Sequence, residues 1–375
     1  MLAAAKGLHA AGHQVIQWMI ATPRHPFPSH LPPHYPFQVH HHFTDTRVKW
    51  TGALRNLFQS SSYNLSRFDD SNAQLQQQEW LQKYPVDIIQ AESIYVLTGI
   101  ESLRKVSNAP IILRAHNVEY LIWQRMAEHC RNPLKKAYLR TMSARLKREE
   151  LAICNQCDGV VVMSDQDAEL FRKEGVTVPI TVVGISTDLQ PSHSFTGLNK
   201  RQLFHLGAMD WLPNREGIEW FIHQVWPDIH RALPEWKLVL AGKHMPQSYT
   251  SLFQQGIHVK DAPDAAVFMQ EEGIMIVPLL SGSGIRVKII EGLALGRIII
   301  TTPIGLEGIP AEDGKHLLIA YEPADFLRHL KALIASPELA KRISENALTF
   351  ANEHFRSDVL TQRLIRFYES SSSKV

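Results

Sequence analysis

Nine short apolar runs rich in Val, Ile and Leu, separated by longer amphipathic stretches, constrain this chain most. HQVIQWMI, VDIIQAE, PIILRAH and DGVVVMS fall in the first half; QLFHLGA, WKLVLAG, GIMIVPLL, RIIITTP and HLLIA fall in the second. Runs of this kind suit strands buried on both faces, and the helix-period stretches between them suit crossovers. The pattern therefore predicts parallel sheets with helices on both sides. The alternation breaks at DLQPSHSFTGLNK, residues 188–200, which is polar, holds Pro191 and Gly197, and reads as a linker. Two α/β domains are expected, over residues 1–190 and 200–355, with residues 356–375 as a C-terminal helix that could pack back on the first domain. At 375 residues and 45% hydrophobic content, there is enough chain for two cores. Ligands of such sheets bind at the carboxyl ends of strands, so a cleft between the two sheets is the expected site. Residues 22–78, rich in Pro, His, Ser and Gln with weak periodicity, are expected to form long loops and irregular helix, with His40, His41 and His42 in an exposed loop.

The stretch Ser281-Gly282-Ser283-Gly284-Ile285-Arg286-Val287-Lys288-Ile289-Ile290-Glu291 follows the apolar run GIMIVPLL and leads into EGLALG. A strand, a glycine-rich turn and a helix start let backbone amides and the positive end of the helix dipole converge on one anion. Helical spacing would set Gly284, Lys288 and Glu291 on one ridge and turn Ile285, Ile289 and Leu293 inward. Arg286 and Lys288 could each give a charge-assisted hydrogen bond to a diphosphate, and Glu291 could accept from two ribose hydroxyls. The bland alternative is a buried strand-turn-helix whose cations snorkel to water.

The same region resembles the retaining glycosyltransferases of the GT-B type, with two Rossmann-like domains, and in particular glycosyltransferase family 4. FHLGAMDWLPNREGIEWF, WKLVLAGK and IVPLLSGSGIRVKIIEGLALGRIIITTPIGLEGI carry the resemblance, which runs over nearly the whole chain. The resemblance implies a nucleotide-sugar donor on the second domain and a sugar, lipid-linked or other hydroxyl acceptor on the first. It implies that Glu291 is the second acid of a Glu, seven residues, Glu motif and binds the donor ribose, with no cofactor because the nucleotide sugar is a substrate. The first acid of that motif would fall at position 283, where this chain has Ser283. The family's basic residues after the first strand of the second domain are also absent, because Ala208 follows Gly207. Arg286 and Lys288 are expected to replace them, with Arg215 in reserve and Asn214 facing the phosphates. In the first domain, RAHNVEY places His116 where the family has a histidine near the reaction centre, with Asn117 and Glu119 in the same loop and Glu92 at a neighbouring strand end as acceptor-side candidates. Members of the family begin with a strand and a glycine-rich loop. Here LAAAKGLHAAGHQV already reads as the first helix, so that strand and loop are expected to be missing.

Other motifs are weaker. Asp165 and Asp167 follow Ser164 as a helix N-cap would be followed by first-turn acids, which argues against a metal-holding Asp-x-Asp. Cys154 and Cys157 form a lone CxxC, and with Cys130 they make no disulfide framework, so neither zinc nor an oxidising compartment is expected. A net charge of +2 is too mild for a nucleic-acid partner. Lys135, Lys136, Arg140, Arg145, Lys147 and Arg148 gather on one expected helix, either as a solvated face or as peripheral contact with the inner face of a membrane. The location expected is the cytoplasm. The expected reaction is metal-independent transfer of a sugar to a hydroxyl with retention, in polysaccharide or glycolipid assembly, with His116, Arg286 and Lys288 carrying it. A nucleotide-sugar-binding scaffold of the same fold, or an epimerase, is the alternative.

Overall fold

A computed structural model describes residues 2–31, 35–48, 56, 61–130, 132–191, 200–271, 273–282 and 284–372. Ser283 and residues 192–199, most of the stretch read as a linker, lie outside the described residues. The chain divides into two compact units, Met1–Gly184 with Thr361–Val375, and Ile185–Leu360.

The first unit carries strands β1 (Ile16–Ala21), β2 (Gln38–Phe43), β3 (Ile89–Ala91), β4 (Ile111–Ala115), β5 (Gly159–Val162) and β6 (Ile180–Val182). They form two parallel sheets, β1-β2 and β3-β4-β5-β6. Every residue of β4 and β5 is buried, Arg114 of β4 among them, as expected of strands covered on both faces. From Thr361 onward the last helix, Ser357–Ser372, belongs to this unit, where Tyr368 donates a hydrogen bond to Gln90 Oε1.

Two expectations for residues 22–78 are corrected here. His40, His41 and His42 are in strand β2, paired with β1 in full register from Ile16↔Gln38 to Ala21↔Phe43. The strand was hidden because its alternation is written in histidines: His40 meets the Trp80 ring edge-on at 5.1 Å, His42 bonds Asp70 at 3.1 Å, and His41 stacks on Phe27 at 3.9 Å. A regular helix, Ser71–Lys83, also forms in this region, capped by Asp70, whose carboxylate accepts from the amides of Asn72 and Ala73. At the other acidic motif, Ser164 Oγ accepts from the Asp167 amide at 3.1 Å, so Asp165 and Asp167 stand in the first turn of a capped helix.

The second unit holds one parallel sheet of β7 (Gln202–Leu206), β8 (Lys237–Ala241), β9 (Ile257–Lys260), β10 (Ile274–Val277), β11 (Ile299–Thr301) and β12 (Leu318–Ile319), in the order β12-β11-β10-β7-β8-β9. The two-residue period of the strands builds two cores. Ile274 and Ile276 pack with Phe221, Trp226 and Phe326 on one face, and Met275 and Val277 pack with Ile289, Ile290 and Leu293 on the other. Full burial of each of those last three side chains stabilises by about 1.5–3 kcal/mol and fixes the helix Val287–Ala294 against the sheet. Strand order reverses between β7 and β10, and the crevice beyond the carboxyl ends at such a reversal is where open parallel sheets bind ligands. Among the described residues, no helix is long and apolar enough to cross a membrane.

Candidate functional site

Several of the residues singled out in the second half of the sequence meet at the reversal point of the second unit. After β10 the chain turns through Gly282 and Gly284, whose φ angles of 113° and 82° are left-handed conformations that residues with a Cβ rarely adopt. The turn is tied down on both sides. The Thr302 hydroxyl donates to the Leu279 carbonyl, Thr301 Oγ1 donates to the Val277 carbonyl at 3.0 Å, and Ser281 Oγ donates to Glu216 Oε2 at 2.7 Å. The helix then begins at Val287, with Arg286 at the cap position in an extended conformation and no side chain capping the first-turn amides. Gly284 is therefore not on a helical ridge with Lys288 and Glu291, as the spacing had suggested. Its left-handed backbone and the extended Arg286 delay the helix by nearly a turn, while Lys288 and Glu291 stay one turn apart on a common face.

The cations of this turn are packed, not waving in solvent. Arg286 is 4% exposed, donates to the Gly284 carbonyl, and stacks its guanidinium over the Trp211 ring at 5.6 Å. Lys288 Nζ donates to Asn214 Oδ1 at 3.0 Å and lies 3.4 Å from His205 Nε2. Burial, and then the neighbouring Arg286 charge, push the Lys288 pKa down to about 7. Glu291 is half-buried one turn on, and burial raises its pKa. Asn214 sits in the helix Leu212–Trp220, and its Nδ2 donates to the Ala208 carbonyl at 2.9 Å. Gly207, at the end of β7, leaves the space in which the cluster meets: a Cβ there would lie 2.7 Å from Lys288 Nζ and 2.6 Å from Asn214 Nδ2. Arg215, the reserve cation, is half-exposed on the same helix and pairs loosely with Glu219 at 4.0 Å. Ser283 lies outside the described residues.

In the first unit, Glu92 and His116 meet at the carboxyl ends of β3 and β4, with Glu92 Oε2 2.8 Å from His116 Nε2. Arg114 NH1 stands 3.5 Å from the same oxygen, and Gln90 Nε2 donates to Glu92 Oε1 at 2.6 Å. Burial alone would raise the Glu92 pKa, but the His116 hydrogen bond and the Arg114 charge outweigh it and the net shift is downward. Asn117 and Glu119 form a second group, in which the Tyr95 hydroxyl donates to Glu119 Oε2 at 2.9 Å and burial raises the Glu119 pKa. Val118 occupies the cap of the helix Glu119–His129 and has nothing to cap it with. Glu150, fully buried, does so from the long helix Pro133–Gln156, accepting the amides of Glu119 and Tyr120 at 2.9 Å each; burial pushes its pKa up to about 8. Arg114, Glu150 and His205 were not singled out in the sequence. For Arg114 and His205 a signal existed, namely a lone polar residue inside an apolar strand run, since buried polar groups need built-in partners.

The fold, α/β with parallel sheets, matches that of GT-B glycosyltransferase structures. The chain belongs to glycosyltransferase family 4: the model of that family matches residues 1–190, and the model of glycosyl transferases group 1 matches residues 200–336. It is a sugar transferase by family. An uncharacterized 44.6 kDa protein in the cps region of Klebsiella pneumoniae is 21% identical over 320 residues, covering 82% of this chain and 80% of the relative. The fold is similar to that of sucrose-phosphate synthase from Thermosynechococcus elongatus, with a TM-score of 0.69 at 15% identity over 99% of this chain and 92% of the other. It is also similar to Anabaena HepE in complex with UDP, with a TM-score of 0.63 at 13% identity over 88% of this chain and 86% of the other.

Proposed function

We propose that the chain transfers a sugar from a uridine diphosphate sugar to an acceptor hydroxyl, with retention at the anomeric carbon and without a metal. The observation that carries this is Lys288, an ammonium at the strand-order reversal whose hydrogen-bond partners are both neutral, set behind a glycine turn and one helical turn from Glu291. A charge kept in that state has its attraction left for a diphosphate, and each charge-assisted hydrogen bond from Arg286 or Lys288 would contribute about 1.5–3 kcal/mol. Uridine is chosen because HepE, a protein of similar fold, binds UDP. As the donor bond breaks, negative charge grows on the diphosphate, and the two cations with the helix amides of Val287 and Lys288, which no side chain caps, would stabilise it by preorganised electrostatics. Glu291 would hold the ribose. The leaving phosphate would take the acceptor proton during same-face attack. His116, braced by Glu92, would position the acceptor or the transferred sugar. A place in polysaccharide assembly is supported by the Klebsiella relative in a cps region. Peripheral membrane contact through the basic helix Pro133–Gln156 belongs to the same proposal.

The test is to offer UDP-, GDP- and ADP-sugars with and without saccharide acceptors, following nucleotide release and the anomeric configuration of the product by NMR. Release from a UDP-sugar, a retained configuration and full activity in a chelator are expected. An inverted product would sink retention, activity restored only by a divalent cation would sink metal independence, and binding without turnover would leave a scaffold.

A further inference from the structure

Lys288 matters in the proposed reaction only if its amino group is aimed at the turn with no fixed negative charge paired to it, and two side chains from other elements are built to do that. His205, on β7, is fully buried. Its Nδ1 lies 3.0 Å from the Ile276 carbonyl, an atom that can only accept, so Nδ1 carries the proton and Nε2 turns a lone pair toward Lys288 Nζ, 3.4 Å away. Burial and the lysine charge both push the His205 pKa well below its ordinary value, which keeps the ring neutral. Asn214 repeats the device. Its Nδ2 is committed to the Ala208 carbonyl at 2.9 Å, which leaves Oδ1 for Lys288 at 3.0 Å. In both cases a backbone carbonyl grips the donor end of the side chain and thereby aims its acceptor end. Position 207 has to be glycine for the three to meet, because a Cβ there would lie 2.8 Å from His205 Nε2 as well as against the other two.

We propose that His205 is a positioning residue for Lys288: together with Asn214 it fixes the ammonium at the diphosphate end of the site without cancelling its charge, as a carboxylate in the same place would. This rests on the donor-binding reading above. The charged and titratable groups around Lys288 are Arg286 and, one turn on, Glu291 on its own segment and His205 from β7, while the helix Leu212–Trp220 contributes the uncharged Asn214. With no anion among its hydrogen-bond partners, and a Lys288 pKa near 7 in the free protein, nucleotide binding takes up a proton around neutral pH.

The experiment measures nucleoside diphosphate affinity by calorimetry between pH 6 and 9, in buffers of different ionisation enthalpy. UDP, GDP and ADP are each tried as the probe, and the tightest is carried forward. The proteins are wild type, His205→Leu, His205→Gln, Lys288→Met and the His205→Leu/Lys288→Met double variant, each first checked by thermal melting. Wild type should take up close to one proton at pH 8 and almost none at pH 6. His205→Leu should weaken binding about 10-fold, most strongly above pH 7, and His205→Gln, whose amide can bond the Ile276 carbonyl and the lysine together, should recover most of the loss. In the Lys288→Met background the His205→Leu change should have no further effect. Equal losses from His205→Leu with and without Lys288, or no loss from it while Lys288→Met weakens binding, would overturn the positioning role and leave the donor site standing. If Lys288→Met binds as wild type does, or wild type binds none of the probes, the donor reading fails and the positioning role with it. Should His205→Leu not fold, the wild-type proton uptake and the His205→Gln pH profile decide the question, and a flat profile in both overturns it.

Discussion

The strand ends of the two units handle buried charge in opposite ways. In the first, Glu92 is surrounded by opposite or complementary groups, His116 at 2.8 Å and Arg114 at 3.5 Å, and its pKa is held below the ordinary carboxylate value. In the second, Lys288 has an amide oxygen and an imidazole nitrogen for partners, and its pKa is driven down. Paired charges hold one another in place and have little field left for a ligand. A lysine held by neutral acceptors is well placed and still short of an anion. The difference separates a part of the molecule where charge sets geometry from a part where it awaits a ligand.

The largest effect expected from breaking this contrast is on nucleotide affinity. Lys288→Met should weaken UDP binding by about 10- to 100-fold, the equivalent of one charge-assisted hydrogen bond, while leaving the free protein as stable as before or slightly more so. Glu92→Gln should do the reverse, with UDP affinity within about twofold and stability lowered by about 1–2 kcal/mol as Arg114 loses its counter-charge. Calorimetry and urea denaturation on the two variants read both columns. If Glu92→Gln matched Lys288→Met in UDP affinity, the contrast would be void.

Much of this was legible in the chain. The nine apolar runs predicted parallel α/β units because buried parallel strands leave a near-continuous apolar signature, as β5 and β10 do. Strand β2 escaped because histidines fill the positions where an apolar alternation would show. At the site, the glycines and cations of the Ser281–Glu291 stretch were readable from local chemistry, and so was Asn214 beside its Pro. The helix start was misjudged because two left-handed glycines and an extended Arg286 postpone it, a choice of backbone conformation that side-chain spacing does not record. His205, Arg114 and Glu150 depend on partners 71, 22 and 31 positions away or on packing, since a neutral histidine beside a lysine exists only once β7 and β10 are side by side.

The pH dependence of stability gives a sharper and smaller test, because the two units should slope in opposite directions. The folded Lys288 pKa of about 7 lies below its unfolded value of 10.5, so between those limits the unfolded chain binds more protons and stability rises with pH. The folded Glu150 pKa of about 8 lies above its unfolded 4.5, so its contribution is complete below pH 4.5 and is lost as pH rises toward 8. Each slope has a ceiling of about 1.4 kcal/mol per pH unit. In nucleotide-free protein, Lys288→Met should flatten the alkaline rise and Glu150→Gln the fall between pH 5 and 8, with Glu150→Gln also destabilising by about 1–3 kcal/mol because one helix amide loses its acceptor. Urea midpoints taken in pH steps would show it, and two variants with wild-type slopes would remove the electrostatic basis of the contrast.

The smallest effect belongs to Arg215, which shares a helix with Asn214 and was the alternative cation for the diphosphate. It is half-exposed and its pairing with Glu219 is loose at 4.0 Å, so Arg215→Ala should change stability by less than about 0.5 kcal/mol. UDP affinity should stay within about twofold, because a solvated guanidinium is screened where Lys288, behind Gly207, is not. A loss as large as that of Lys288→Met would move the diphosphate from the glycine turn to the outer face of the helix Leu212–Trp220. The neutral cradle of His205 and Asn214 would then be holding a lysine for structure alone.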